Sequence, residues 1–198
     1  GLILPIGNYV LEAVFQFISE ANIEALGLTG IEVNLSVGQC MQNDLPDLIQ
    51  YLQEKYEVEP SLVVFEILET TYDDIGSIAD RNIRRLREMG YSFALDDYGT
   101  GYSNIQRICT LPLSFIKIDK IMVDNLGGET GLSLLRNVMQ MMKDIGKRVI
   151  AEGVEDEASL FVLKEMDCDF IQGFYYAKPM PGPEFIEFIR RKRLEKLT

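Results

Sequence analysis

Short apolar runs of strand character alternate with longer helical patterns along nearly the whole chain, and this alternation restricts the fold more than any other feature. β-Branched and aromatic runs fall at Ile31–Leu35, Leu62–Leu68, Tyr91–Leu95, Phe115–Ile118, Val149–Ala151 and Cys168–Ile171. Between them, apolar residues recur at helical spacing over Ile6–Leu26, Asp44–Tyr56, Ile75–Met89, Gly131–Ile145, Glu157–Met166 and Pro183–Leu194. Leu135, Val138, Met139 and Met142 make one such stripe, which suits a helix face turned to a core. Gly90 and Gly146 stand where helix C-caps would lead into the next strand. Strands alternating with helices over short loops imply a parallel sheet.

Six strands are visible in 198 residues. A closed eight-strand barrel typically takes about 250 residues. Count and length therefore give a barrel short of one or two units, or an open six-strand sheet. No glycine-rich dinucleotide fingerprint and no P-loop follows any strand, which weighs against the doubly wound alternative. The length suits one domain, or most of one.

Composition removes several chemistries. The chain has no histidine, so Ser-His and Cys-His catalytic pairs and His-rich zinc sites are excluded. Cys40, Cys109 and Cys168 lie far apart without CxxC spacing and read as small buried apolar residues in a reducing compartment. The net charge of −12 speaks against DNA or RNA binding. A phosphate-bearing substrate would then need metal ions to offset repulsion. No apolar run approaches the roughly 18 residues of a membrane span. The chain begins at Gly1 rather than Met, as an excised piece of a longer protein would.

Chemistry in β/α barrels gathers where strands end and loops begin. The six strand ends carry Asn34, Glu66, Asp96-Asp97, Lys117-Ile118-Asp119, Glu152 with Glu155, and Gln172. Singly, each has an ordinary reading. An asparagine at a strand end is usually a turn former, and adjacent aspartates can cap a helix. Glu66 and Lys117, however, sit inside apolar runs, where an unpaired charge would be costly. One polar group per strand end, repeated six times, is a site rather than a set of accidents. Oxygen ligands without His or Cys suit hard cations such as Mg²⁺, Mn²⁺ or Ca²⁺. Several carboxylates converging on one place would repel one another without cations. A metal pair is a recurring device for in-line attack on a phosphodiester. Asp96, with Asp97 beside it, is placed to bridge two metals. Lys117 could orient the attacking water or stabilise charge on phosphate oxygens.

At these residues the chain resembles the EAL domain family, the bacterial cyclic di-GMP phosphodiesterases. The matching segments are Gly1-Leu2-Ile3, Val33-Asn34-Leu35-Ser36, Glu66 to Glu69, Asp96-Asp97-Tyr98-Gly99-Thr100-Gly101-Tyr102-Ser103, Lys117-Ile118-Asp119, Ala151-Glu152-Gly153-Val154-Glu155 and Gln172-Gly173-Phe174. They occur in family order over nearly the whole chain.

The resemblance implies an α/β fold, a TIM-type barrel incomplete because its first strand or strands are missing, over residues 1–198. It implies metal ligands at Asn34, Glu66, Asp96, Asp97 and Glu152, holding two divalent ions, Mg²⁺ or Mn²⁺, with Ca²⁺ a candidate inhibitor. Lys117, Glu152 and Asp97 would be catalytic, and Lys117 would lie close to the nucleophilic water. Asp119, Glu155, Gln172 and Pro179 resemble positions of the guanine and ribose-phosphate pocket. Glu69 would brace the loop after Asp97, which in the family also supports a homodimer. The reaction would be hydrolysis of cyclic di-GMP to linear pGpG by a cytoplasmic domain, whose parent chain could add diguanylate cyclase-like or sensory parts. The sequence departs from the family in three places. The namesake Glu-Ala-Leu strand, with its metal carboxylate, would lie upstream of Gly1, so these residues alone are expected to be poorly active. Leu68 stands where threonine is usual, and Ala177 where serine is common. The alternatives are an inactive cyclic di-GMP receptor and a regulatory interaction domain.

Overall fold

The computed structural model describes residues 1–72, 76–100 and 105–195. In chain order the elements are α1 (Ile3–Ala21), β1 (Ile31–Asn34), α2 (Val37–Cys40), α3 (Leu45–Tyr56), β2 (Val63–Leu68), α4 (Ile78–Glu88), β3 (Ser92–Tyr98), α5 (Ile105–Thr110), β4 (Phe115–Ile118), α6 (Lys120–Asp124), α7 (Glu129–Asp144), β5 (Arg148–Ala151), α8 (Glu157–Glu165), β6 (Phe170–Ile171) and α9 (Gly182–Glu195). The strands form one sheet in the order β1-β2-β3-β4-β5-β6, and β3 to β6 pair in parallel. An order that never reverses has no topological switch point. It is the strand order of a (β/α) barrel, with six strands rather than eight among the described residues, and not of a doubly wound sheet. The short helices α2, α5 and α6 escape sequence reading because four to six residues are too few for a 3.6-residue period to show.

The chain packs as two compact units, residues 1–65, 76–92 and 179–198 in one and residues 66–75 and 93–178 in the other. In the first, α1 buries Leu11, Phe15 and Ile18 on one stripe, α3 buries Leu45, Ile49 and Leu52, and α4 buries Ala79, Ile83 and Leu86. The Ser77 hydroxyl accepts from the Asp80 amide at 3.1 Å and caps α4. At the other end Gly90, with φ +101°, takes the left-handed position that glycine fills most cheaply. The chain then turns into Tyr91, which is fully buried with its ring 5.1 Å from that of Phe65.

In the second unit, β3 buries Phe93, Ala94 and Leu95, β4 buries all four residues, and β5 buries Val149, Ile150 and Ala151. Strands covered on both faces are what a parallel sheet under helices produces. Leu135, Val138, Met139 and Met142 of α7 are all buried, on the stripe their spacing predicts. Of the cysteines, Cys40 is buried and Cys168 half-buried, but Cys109 is exposed. The expectation that all three are buried therefore fails at Cys109, near the end of the short helix α5. Burial pushes the Cys40 thiol up to about 12.

β3 runs three residues beyond its expected end at Leu95. Leu95 pairs with Ile116 but Tyr98 with Ile118, so β3 spends one more residue than β4 over the same stretch. This is a β-bulge. Asp97 lies in it with φ +56°, a left-handed conformation that aspartate tolerates better than most residues.

Burial holds the Tyr91 phenol above the ordinary tyrosine range, so folding favours its neutral form. That contribution is complete below about pH 10, the ordinary tyrosine value, and fades above it as the unfolded chain ionises first. Thermal melting followed from pH 8 to pH 11 is expected to fall more steeply for the native chain than for Tyr91→Phe. Parallel curves would show that the phenol carries no such term.

Candidate metal centre

The carbonyls at the ends of β3, β4 and β5 are each taken by the loop of the next strand. Asp119 N donates to Tyr98 O at 3.1 Å, Glu152 N to Ile118 O at 3.0 Å, and Gln172 N to Ala151 O at 2.8 Å. The polar residues after these strands are thus held by the sheet's own ladder. The loop after β5 and the loop after β6 also lie against each other. Val154 N donates to Gln172 O at 3.1 Å and Tyr175 N to Val154 O at 3.0 Å. A Cβ at Gly173 would sit 2.0 Å from Val154 O, a contact that only glycine permits.

Within this frame Lys117 of β4 is buried, 3% exposed, and so is Glu66 of β2, 6% exposed. Lys117 Nζ lies 2.7 Å from Glu66 Oε1, 2.8 Å from Glu152 Oε1 and 3.0 Å from Asp96 Oδ1. Burial opposes the ammonium charge, but the Glu152 and Glu66 carboxylates outweigh it and hold the Lys117 pKa above the ordinary lysine range. Lys117 is therefore a fixed cation and not a base at neutral pH. Three carboxylates face one ammonium, so among the described residues of this cluster negative charge is in excess. Burial chiefly raises the Glu152 pKa, with Asp96 and Glu66 adding to it, against the opposing pull of Lys117. Asp97 is raised by burial and by Asp96 and Asp119.

Asp96, Asp97 and Glu152 each offer an oxygen within 4.8 Å of the others. Neighbours on a regular strand point to opposite faces, and the bulge at Asp97 lets adjacent aspartates serve one place. Asp96 Oδ1 is buried and, among the described residues, accepts no hydrogen bond. Lys117, at 3.0 Å from it, supplies charge but not a directed proton. A buried carboxylate oxygen without a donor, in a cluster with surplus negative charge, fits a hard divalent cation well.

The other expected site residues are placed as follows. Asp119 caps α6, its Oδ1 accepting from Ile121 N at 2.8 Å. Glu155 is exposed and ion-paired with Lys120. Gln172 is exposed beside Gly173. Asn34 ends β1 with an exposed side chain, and Pro179 is exposed. Both belong to the first compact unit, whereas the lysine-centred cluster belongs to the second. The Glu69 side chain and residues 101–103 of the aspartate-rich stretch lie outside the described residues. Sequence reading missed Lys120. Its only trace is a spacing of three between Lys117 and Lys120 that matches the spacing between Glu152 and Glu155.

The profile of the EAL domain matches residues 1–179. The chain belongs to the EAL domain family. It is 31% identical over 188 residues to the cyclic di-GMP phosphodiesterase RocR of Pseudomonas aeruginosa, over 91% of this chain and 48% of RocR. The fold is similar to the EAL enzyme Bd1971 in its cAMP and cyclic-di-GMP bound form, with a TM-score of 0.89 at 25% identity over 96% of this chain and 52% of that one. It is similar to the EAL domain of Mycobacterium smegmatis DcpA with a TM-score of 0.88 at 26% identity, over 96% of this chain and 86% of that one. The chain spans 25% of one curated relative and 30% of another. Among the described residues of this EAL domain, no helix is long and apolar enough to cross a membrane.

Replacing Lys117 with methionine keeps the stem and removes the charge, leaving Glu66 buried without a partner. Lys117→Met is expected to lower the unfolding free energy at neutral pH by about 3–5 kcal/mol, read from urea titration. A loss under ~1 kcal/mol would show that the lysine is not what holds these carboxylates in place.

Proposed function

We propose that this EAL domain is the catalytic domain of a phosphodiesterase that hydrolyses cyclic di-GMP to linear pGpG. The observation that carries the reading is the buried ammonium of Lys117 among three carboxylates, beside a second aspartate. Two divalent cations, Mg²⁺ or Mn²⁺, fit the ligand set of Asn34, Glu66, Asp96, Asp97 and Glu152, and would supply Lewis acidity at the phosphate and a more acidic water. Lys117 keeps its charge and orients the attacking water while stabilising charge on the phosphoryl oxygens. Glu152, with its raised pKa, takes the proton of that water. Asp97 holds the water's position from the bulge. Attack breaks one P–O3′ bond, and the 3′ oxygen leaves with a proton from solvent. Asp119, Glu155, Gln172 and Pro179 bind guanine and ribose-phosphate, and Glu69 braces the loop after Asp97.

Support for this reading comes from the family match and from RocR, a relative named as a cyclic di-GMP phosphodiesterase. The match runs through both compact units, consistent with one domain. A cytoplasmic location and a homodimer belong to the same proposal, as do diguanylate cyclase-like or sensory partners in a longer chain. The family's Glu-Ala-Leu strand and its carboxylate would lie upstream of Gly1, since the tripeptide Glu24-Ala25-Leu26 falls between α1 and β1 and in no strand. Turnover by these residues alone is therefore expected to be low, and the assay includes a version extended through that strand.

In Mg²⁺ or Mn²⁺ the extended domain is expected to convert cyclic di-GMP to pGpG, followed by chromatography of the nucleotides. Glu152→Gln should lower kcat by about 10²–10⁴-fold. Asp96→Asn should abolish both turnover and the rise in melting temperature that Mn²⁺ gives the native domain. A folded, metal-binding domain that holds cyclic di-GMP without cleaving it would make the protein a receptor and overturn the enzyme reading.

A further inference from the structure

The stretch from β4 into α6 is joined twice to the loop after β5, by two lysines three residues apart and two glutamates three residues apart. On the inside Lys117 pairs with Glu152 at 2.8 Å. On the outside Lys120 pairs with Glu155. The Lys120 stem lies directly over the turn that carries both glutamates. A Cβ at Gly153 would fall 2.5 Å from Lys120 Cβ and Cγ and 2.7 Å from its Cδ. Gly153 has φ +69°, so the turn both needs a glycine for its backbone and offers a flat seat for the lysine. The ammonium is thus brought to Glu155 by packing of its stem as well as by charge.

We infer that Lys120 is a positioning residue for substrate, one that holds the Glu155 carboxylate in the orientation that receives a guanine. The inference rests on the phosphodiesterase reading above and deepens it. A half-exposed glutamate without such a partner samples several rotamers and must be ordered when a ligand arrives. The pair with Lys120 does that ordering beforehand. One carboxylate oxygen is engaged by the ammonium, and the other stays available to a donor such as a guanine N–H. Among the described residues Lys120 pairs with Glu155 and not with a member of the Lys117 cluster, so its effect falls on binding and not on the chemical step.

The test is a double-mutant cycle in the extended domain with Lys120→Met, Glu155→Gln and both together. Methionine keeps the stem over Gly153 and removes only the charge. Lys120→Met is expected to raise KM for cyclic di-GMP on the order of 3- to 10-fold, the cost of ordering one side chain, with kcat unchanged. In the Glu155→Gln background the same substitution should change KM less than 2-fold, roughly additivity error. An equal effect in both backgrounds would mean that Lys120 acts on the anionic substrate by charge alone, and would overturn the inference. So would an unchanged KM in Lys120→Met, or a fall in kcat. A native domain with neither binding nor turnover would instead overturn the phosphodiesterase reading on which the inference rests.

Discussion

One buried ammonium surrounded by three carboxylates sets the terms for this part of the molecule. Burying Lys117 alone would be prohibitive, and so would burying Glu66 alone. Each is tolerable because the other lies 2.7 Å away. That condition fixes the register of β4, because a slip of one residue would turn Lys117 to the opposite face. It also explains why β4 can be short and yet buried throughout. Its four residues need no polar exit when the single charge among them is answered by the neighbouring strands and by the loop after β5.

The cluster is over-supplied with negative charge, and the chain as a whole carries −12. Neither fact suits direct recognition of a phosphate. Both suit a site where cations mediate between protein and anion, so that acidic residues become the means of binding a negatively charged ligand. Burial is the chief cause of the raised pKa values at Glu152 and Asp97, and the neighbouring carboxylates add to it. Lys117 covers part of the deficit with a cation that cannot leave.

Much of this was readable from the residues. All six strands and six of the helices follow from hydrophobic period, because buried strands and amphipathic helices of ordinary length leave clear patterns. The polar strand ends were readable too, since Glu66 and Lys117 interrupt apolar runs where an unpaired charge has no place. The pairings were not. Which carboxylate meets which cation depends on strand register and on the bulge at Asp97, and a bulge leaves no mark in a two-residue period. The strand was accordingly expected to stop at Leu95. The outer pair of Lys120 and Glu155 was hidden for the same reason, since it joins the first residue of α6 to the loop after β5, 35 residues away. An exposed Cys109 likewise depends on α5, a helix too short to announce itself.

The three amides that donate back to the ends of β3, β4 and β5 have a consequence for how the site can come apart. Asp119, Glu152 and Gln172 each anchor their loop by the same kind of bond that builds the sheet. Among the described residues after β4, β5 and β6, no separate hinge lies between scaffold and functional groups, so these segments carry little independent freedom to open. Local melting of the site would have to begin by unzipping strand ends. The site and the sheet beneath it therefore form one cooperative element, and what protects the core from water also keeps the acidic cluster assembled.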